Sequence, residues 1–189
     1  MTKRELKRVV ALDACVLINF IHTGRLHLLG ELPGCEMVMP DHVYEEITDP
    51  SQRHSLDRAL EEGVLRSQAI TELDAVEIYA GLRDVLGSGE AACLALAASS
   101  EWSIASDERG RFRREVLDRL GPKYLIGTKD LYLLLIQAGL LTVDEAELDR
   151  KVLEQHRFRM KFSSFRDLMR TSKSRLSKTK GRGQSRSHD

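Results

Sequence analysis

Short apolar, β-branched runs alternate with amphipathic stretches along almost the whole chain, and this alternation constrains the fold more than any other feature. Strands are predicted at Val9–Leu12, Met37–Met39, Val64–Ile70, Ser103–Ser106 and Lys123–Ile126. Helices are predicted between them: Cys15–Leu29, a turn after Asp41 carrying Tyr44 and Ile47, Ser55–Leu60, Leu73–Leu86, an Ala/Leu-rich stretch from Glu90, and Glu108–Leu120. Leu131–Ala138 follows the last strand, and one or two further helices run from Val143 to about Met169. Asp41 and Thr128 stand where helix caps are wanted. The stretch after Gly87-Ser88-Gly89 has so few polar side chains that it should pack on more than one side. Alternating strands and helices imply an α/β fold, a three-layer α/β/α sandwich around a mostly parallel sheet of about five strands. Right-handed crossovers then bring the strand C-termini to one edge. That edge is where open α/β sheets bind ligands.

The chain has 189 residues, 42% hydrophobic and 31% charged, enough for a core that needs no disulfide or structural metal. Its odd number of cysteines (Cys15, Cys35, Cys93) lie in apolar surroundings without metal spacing, so they read as small core residues in a reducing compartment. The charged opening residues are no signal peptide, and the longest later apolar run, Leu131–Ile136, is too short to span a membrane. A cytoplasmic protein is expected. Net charge is zero, which gives no global argument for nucleic-acid binding. The charge is unevenly placed, however. Residues 171–189 carry Lys173, Arg175, Lys178, Lys180, Arg182 and Arg186 against Asp189 alone. They are expected to form a disordered basic tail beyond a domain at residues 1–170.

Two acids end predicted strands, Asp13 after the first and Asp107 after the fourth, so the topology sets both on the same sheet edge. Glu46 lies one turn into the helix after the second strand, and Glu90 opens the Ala/Leu-rich helix. Each alone has an ordinary explanation. A strand-ending Asp caps the following helix, Glu46 can be a solvated surface residue, and Glu90 suits the helix dipole. Four carboxylates at one edge repel unless a cation neutralises them. Oxygen-only donors select hard ions such as Mg2+ or Mn2+.

The run Leu12-Asp13-Ala14-Cys15-Val16-Leu17-Ile18-Asn19 resembles the first motif of the PIN-domain family. Pro40 through Ile47, with its Val-x-x-Glu-Ile spacing, resembles the second; Gly89-Glu90-Ala91 with Leu94–Ala97 the third; Ile104-Ala-Ser-Asp107-Glu108 the fourth. The stretches from Gly24 to Leu29 and Ile126-Gly-Thr128 are similar to a bacterial and archaeal branch, and the likeness covers about residues 8–165. It implies that Asp13, Glu46, Glu90 and Asp107 ligate one or two Mg2+ or Mn2+ ions and that the protein hydrolyses RNA phosphodiester bonds. It further implies the toxin of a toxin–antitoxin pair, a small antitoxin as partner, and a homodimer. Glu46 is preferred over Glu45 by spacing, and Glu108 is an alternative to Asp107. Ala14 departs from the family, which often has Ser or Thr after the first Asp, so one polar contact is missing.

Arg109, Arg111, Arg113 and Arg114 follow Asp107 at once and suit phosphate contact. Arg109, Arg111 and Arg113 are the candidate RNA-binding residues. Pairing with Glu115 and Asp118 on a solvated helix is the alternative. The rival to an enzyme is a non-catalytic PIN-fold module that binds RNA or protein. A phosphatase of the haloacid-dehalogenase type is disfavoured, because Asp13-Ala14-Cys15 lacks the second Asp of its Asp-x-Asp. The six histidines show no paired metal spacing, and no GxxxxGK[ST] phosphate loop occurs.

Overall fold

A computed structural model describes residues 7–171. Five parallel strands form one sheet in the order β3-β2-β1-β4-β5: β1 Arg8–Leu12, β2 Cys35–Pro40, β3 Arg66–Gln68, β4 Ser103–Ala105 and β5 Leu125–Ile126. Helices α1 (Ala14–His22), α2 (Asp41–Glu46) and α3 (Pro50–Glu61) connect the strands on one side of the order, α4 (Leu73–Leu82), α5 (Ser88–Ser100) and α6 (Arg111–Arg119) those on the other. After β5 come α7 (Thr128–Gln137) and α8 (Val143–Gln155), and residues 165–171 are again helical. Helices cover both faces of the sheet, as the alternation requires. The basic stretch expected from Thr171 onward lies, apart from Thr171, outside the described residues. Among the described residues no helix is long and apolar enough to cross a membrane.

The sheet is built outward from β1, first through β2 to β3, then across to β4 and β5. The direction of winding therefore reverses between β1 and β4. Adjacent crossovers leave the sheet on opposite faces there and open a crevice at the strand C-termini. The register sets both ends level: Leu12 faces Ala105, and the Asp13 amide donates to the Ala105 carbonyl at 3.0 Å. Helix α5 lies over β1, β2 and β4, and Ala91, Ala92, Cys93, Ala95 and Ala97 are fully buried. Small side chains let it sit close to the sheet while α2 and α4 pack on its other sides.

Several boundaries differ from expectation. One helix was expected over Cys15–Leu29; α1 instead ends at His22, and a 3-10 turn spans Leu26–Glu31. Gly24 at φ +67° forms the left-handed stop, with its amide bonded to the Ile21 carbonyl and that of Arg25 to Phe20. Helix α6 starts at Arg111 and not at Glu108, because Gly110 takes φ +67° before it. Neither expected cap caps. The Asp41 carboxylate accepts from the Ser67 hydroxyl, and Thr128 stands inside α7 with Gly127 at the N-cap.

Candidate metal centre

Asp13 is only 3% exposed at the crevice between β1 and β4. It takes the cap position of α1, its Oδ1 accepting from the Ala14 amide at 2.8 Å. The N-cap reading and the site reading are thus compatible, since Oδ2 faces the crevice. There it accepts from the Ser106 hydroxyl at 2.7 Å and from the Cys15 thiol at 3.2 Å. Burial still pushes the Asp13 carboxyl above its ordinary range, outweighing these hydrogen bonds, and the charge of Glu108 adds to the rise.

Glu46 reaches the crevice from the end of α2. Its Oε1 accepts from the Gly89 amide at 2.6 Å, so α5 fixes the carboxylate through its first turn. A Cβ on Gly89 would come within 2.5 Å of Glu46 Oε2, so any side chain there would push the carboxylate aside. The Glu90 carboxylate accepts from the Gly87 amide at 3.1 Å, reaching back to the N-cap backbone of its own helix. Burial raises the Glu90 carboxyl, and the charges of Asp13, Glu108 and Glu46 push the same way. A notional Cβ on Gly87 lies 3.6 Å from Glu90 Oε2 and 3.8 Å from Glu46 Oε1, so these two acids flank one backbone position.

The residues after β4 divide between two sides. Ser106 and Glu108 turn to Asp13: the Ser106 oxygen accepts the Glu108 amide at 3.1 Å, and one ligand atom from each of Asp13, Cys15 and Glu108 lies within 4.8 Å of the other two. Asp107 turns the other way. Its Oδ1 accepts the Thr128 amide at 3.0 Å, and its Oδ2 accepts the Thr128 hydroxyl and, at 3.3 Å, Asn19 Nδ2. Asn19 also donates to Thr128 Oγ1 at 3.1 Å, completing a buried polar knot between α1, the β4 end and α7. Burial raises the Asp107 carboxyl despite these donors, with Asp130 adding to the rise.

The structure therefore brings Asp13, Glu46 and Glu90 together with Glu108, and sets Asp107 in the knot beside them. Glu108, the alternative to Asp107, was expected to open a helix, and the late start of α6 leaves it in a loop. Ser106 supplies the hydroxyl that Ala14 lacks. Cys15, expected in the core, is half-buried at the site, where its sulfur also accepts the Asp107 amide at 3.3 Å. Burial beside Asp13 pushes its thiol far up, so it stays protonated as a donor. Alternation continued past β4 puts Ser106 and Glu108 on one side, a signal present in the sequence.

Among the described residues, none of Asp13, Glu46, Glu90 and Glu108 forms an ion pair. Asp13 is buried and Glu90 half-buried, while Glu46 and Glu108 are exposed at the rim; carboxylates so grouped without a cationic partner offer oxygen donors of the kind a hard divalent cation takes. Of the arginines, Arg109 and Arg113 line a cavity beginning at Ser106, whereas Arg111 does not. Glu115 pairs with Arg119 at 3.3 Å and leaves both cavity arginines free of it.

A comparison with curated proteins finds no match. A crystal structure of VapBC2 from Rickettsia felis, bound to a DNA fragment from their promoter, is similar to this chain at 15% identity, over 63% of this chain and 96% of that one, with a TM-score of 0.43. Residues 9–174 match the family model DUF3368, described as a PIN domain. With the match spanning most of its length, the chain belongs to the PIN-domain family.

Proposed function

We propose that the protein is an endoribonuclease dependent on Mg2+ or Mn2+, with Asp13, Glu46, Glu90 and Glu108 as the acids that hold the ion. The observation that carries this reading is the grouping of Asp13, Cys15 and Glu108 ligand atoms within 4.8 Å of one another at the crevice between β1 and β4, with Glu46 and Glu90 flanking Gly87 and the charges of Asp13, Glu108 and Glu46 acting on Glu90. Glu108 is taken in place of Asp107 because its carboxylate lies within 4.8 Å of the Asp13 and Cys15 ligand atoms, whereas Asp107 bonds Thr128 and Asn19. A hard divalent cation supplies, when bound, activation of water for in-line attack and positive charge opposite the phosphate. The chain's own residues prepare the place. Ser106, Cys15 and the Ala14 amide orient Asp13, the Gly89 amide orients Glu46, and the Gly87 amide orients Glu90. Asp107 acts as a positioning residue, tying the β4 end to α7 so that Ser106 and Glu108 face Asp13.

The toxin role, the antitoxin partner and the homodimer follow from the family resemblance and are proposals of the same reading. Growth arrest on expression, relieved by a small protein encoded beside this one, is their test.

Titration calorimetry with Mn2+ tests the ligand set and separates an enzyme from a non-catalytic module. Wild type is expected to bind Mn2+. Glu108→Gln should weaken binding by about tenfold or more, with Asp107→Asn weakening it less, since removing a group that orients a ligand is the milder loss. The reverse order would return the fourth ligand to Asp107. No heat with wild type would favour the non-catalytic module.

A further inference from the structure

Cys15 brings sulfur into a crevice whose other donors are oxygen. It is the second residue of α1, so the turn that Asp13 caps also carries the thiol to the strand edge. There Sγ lies 3.2 Å from Asp13 Oδ2 and 3.7 Å from Ser106 Oγ. Among the described residues, Asp13, Cys15 and Glu108 are the one set of three His, Cys, Asp or Glu residues whose donor atoms all lie within 4.8 Å of one another. Glu46 and Glu90 stand outside that set. The tightest group of donors at the centre is therefore two oxygens and one sulfur.

The spacing suits a small tetrahedral ion. Zinc takes sulfur at about 2.3 Å and carboxylate oxygen at about 2.0–2.2 Å, which at a tetrahedral angle sets the two donors roughly 3.6 Å apart. Cys15 Sγ and Asp13 Oδ2, at 3.2 Å, need only a small outward shift to share such an ion. Glu108 is exposed in the loop before α6, where no helix restrains its carboxylate from closing on the same point. The sulfur also has the neighbour that a charged sulfur wants, because the Asp107 amide donates to it at 3.3 Å. Hydrogen bonds to a ligating sulfur are one means by which proteins tune metal sites. A hard ion gains nothing from this arrangement. Mg2+ demands near-octahedral oxygen ligands and keeps its waters, whereas thiolate selects softer ions. The other two cysteines are placed differently: Cys93 is fully buried with its thiol on the Leu12 carbonyl at 3.7 Å, and Cys35 opens β2 at the opposite end of the sheet.

We propose that Cys15 sets the metal specificity of this centre: with Asp13 and Glu108 it forms a seat for Zn2+, in competition with the hard ion that the carboxylates hold by oxygen alone. This rests on the cation-site reading of the acids. When the sulfur takes the ion its proton passes to solvent, since a coordinating thiol is deprotonated outright. Both seats use Asp13 and Glu108, so the two ions exclude each other, and Zn2+ acts as a competitor of the hard ion.

The test uses the full chain, metal-free at the start, with Co2+ standing in for Zn2+ because it takes the same tetrahedral sites and is coloured. Sulfur bound to Co2+ gives a near-ultraviolet charge-transfer band that oxygen and imidazole ligands do not, so Co2+ held by histidines is silent there. Wild type and Cys35→Ser are expected to show the band, and Cys15→Ser to lack it. Calorimetry then measures Zn2+ and Mn2+ binding to the same proteins. Zn2+ exceeds Mn2+ at most sites, so the quantity read is the ratio of the two affinities. Cys15→Ser keeps a hydroxyl donor for Asp13 but removes the sulfur. It should lower that ratio about tenfold or more, at least the loss that follows a change outside the ligand shell. Should Cys15→Ser fail to fold, Cys15→Ala carries the same prediction.

No band with wild type, a band that survives loss of Cys15, or equal weakening of Zn2+ and Mn2+ would overturn the proposal, the last by showing a merely structural thiol. The two readings can fail separately. The expected band and ratio without RNA cleavage in Mn2+ would sink the nuclease and keep the zinc seat. Cleavage in Mn2+ by a wild type that shows no band would sink the zinc seat and keep the nuclease.

Discussion

At Asp13 burial and hydrogen bonding oppose each other, and burial wins: a carboxyl with three donors still holds its proton more tightly than in the unfolded chain. The sign of the pH dependence follows. A folded pKa above the unfolded one gives stability that is complete below the unfolded pKa and is lost as pH rises through the folded one. Asp13→Asn escapes that loss. In metal-free protein the variant should therefore gain in Tm over wild type as pH rises from about 4 toward 8, across the range above the ordinary Asp pKa. Saturating Mn2+ should reverse the gap, since binding at about 100 times Kd adds about 2.7 kcal/mol to wild type. A gap independent of pH and Mn2+ would contradict both the burial effect and the cation site. Glu46 makes a second claim at this scale, because its carboxylate occupies the space a Gly89 side chain would need. Gly89→Ala should displace it and cost about 100-fold in RNA cleavage, the order expected for a misplacement of about 1 Å, with little change in Tm. Wild-type cleavage by that variant would remove Glu46 from the site.

Among the elements, α5 has the narrowest tolerance. Ala91, Ala92, Cys93, Ala95 and Ala97 are fully buried against the sheet and its helical neighbours, which leaves little room for a larger side chain there. Ala95→Leu is expected to destabilise the fold by about 1–3 kcal/mol through overpacking, read as a lower urea midpoint at unchanged slope. A neutral result would show slack that the structure does not contain. Much of this element was legible in its sequence: a long Ala/Leu run with almost no polar side chains has no solvent face. The end of β1 was legible too, since it stops at Leu12 and Asp13 follows at once; β4 stops at Ala105, one residue short of the expected Ser106, with Asp107 after that serine. What stayed hidden were the interruptions. Gly24 and Gly110 adopt positive φ, and each shortens a helix that hydrophobic periodicity alone would extend. The second shortening frees Glu108 and changes which acid meets Asp13. Thr128 shows the same limit, for a residue placed to cap α7 bonds Asp107 across the crevice, a choice set by tertiary packing.

For the whole molecule, the strand order decides where chemistry can occur. Winding reverses once, between β1 and β4, and all four acids of the proposed site gather at that reversal although they come from four separate stretches of sequence. The segment after α1 and helix α7 are both tied to α8: Arg25 Nε donates to Asp149 Oδ2 at 2.9 Å, and the Tyr132 hydroxyl donates to the same oxygen at 3.3 Å. The order of the acids along the chain, their meeting at one edge and the family match over residues 9–174 all bear on one claim, that this edge is a cation-dependent RNA-cleaving centre. RNA cleavage in Mn2+ by wild type and Asp13→Ala, side by side and with an EDTA control, tests it most directly. Wild type is expected to cleave and EDTA to abolish that cleavage, with the rate for Asp13→Ala lower by about 100-fold or more, the scale of a lost electrostatic catalytic contact. Equal cleavage by the two proteins, or cleavage indifferent to EDTA, would contradict it.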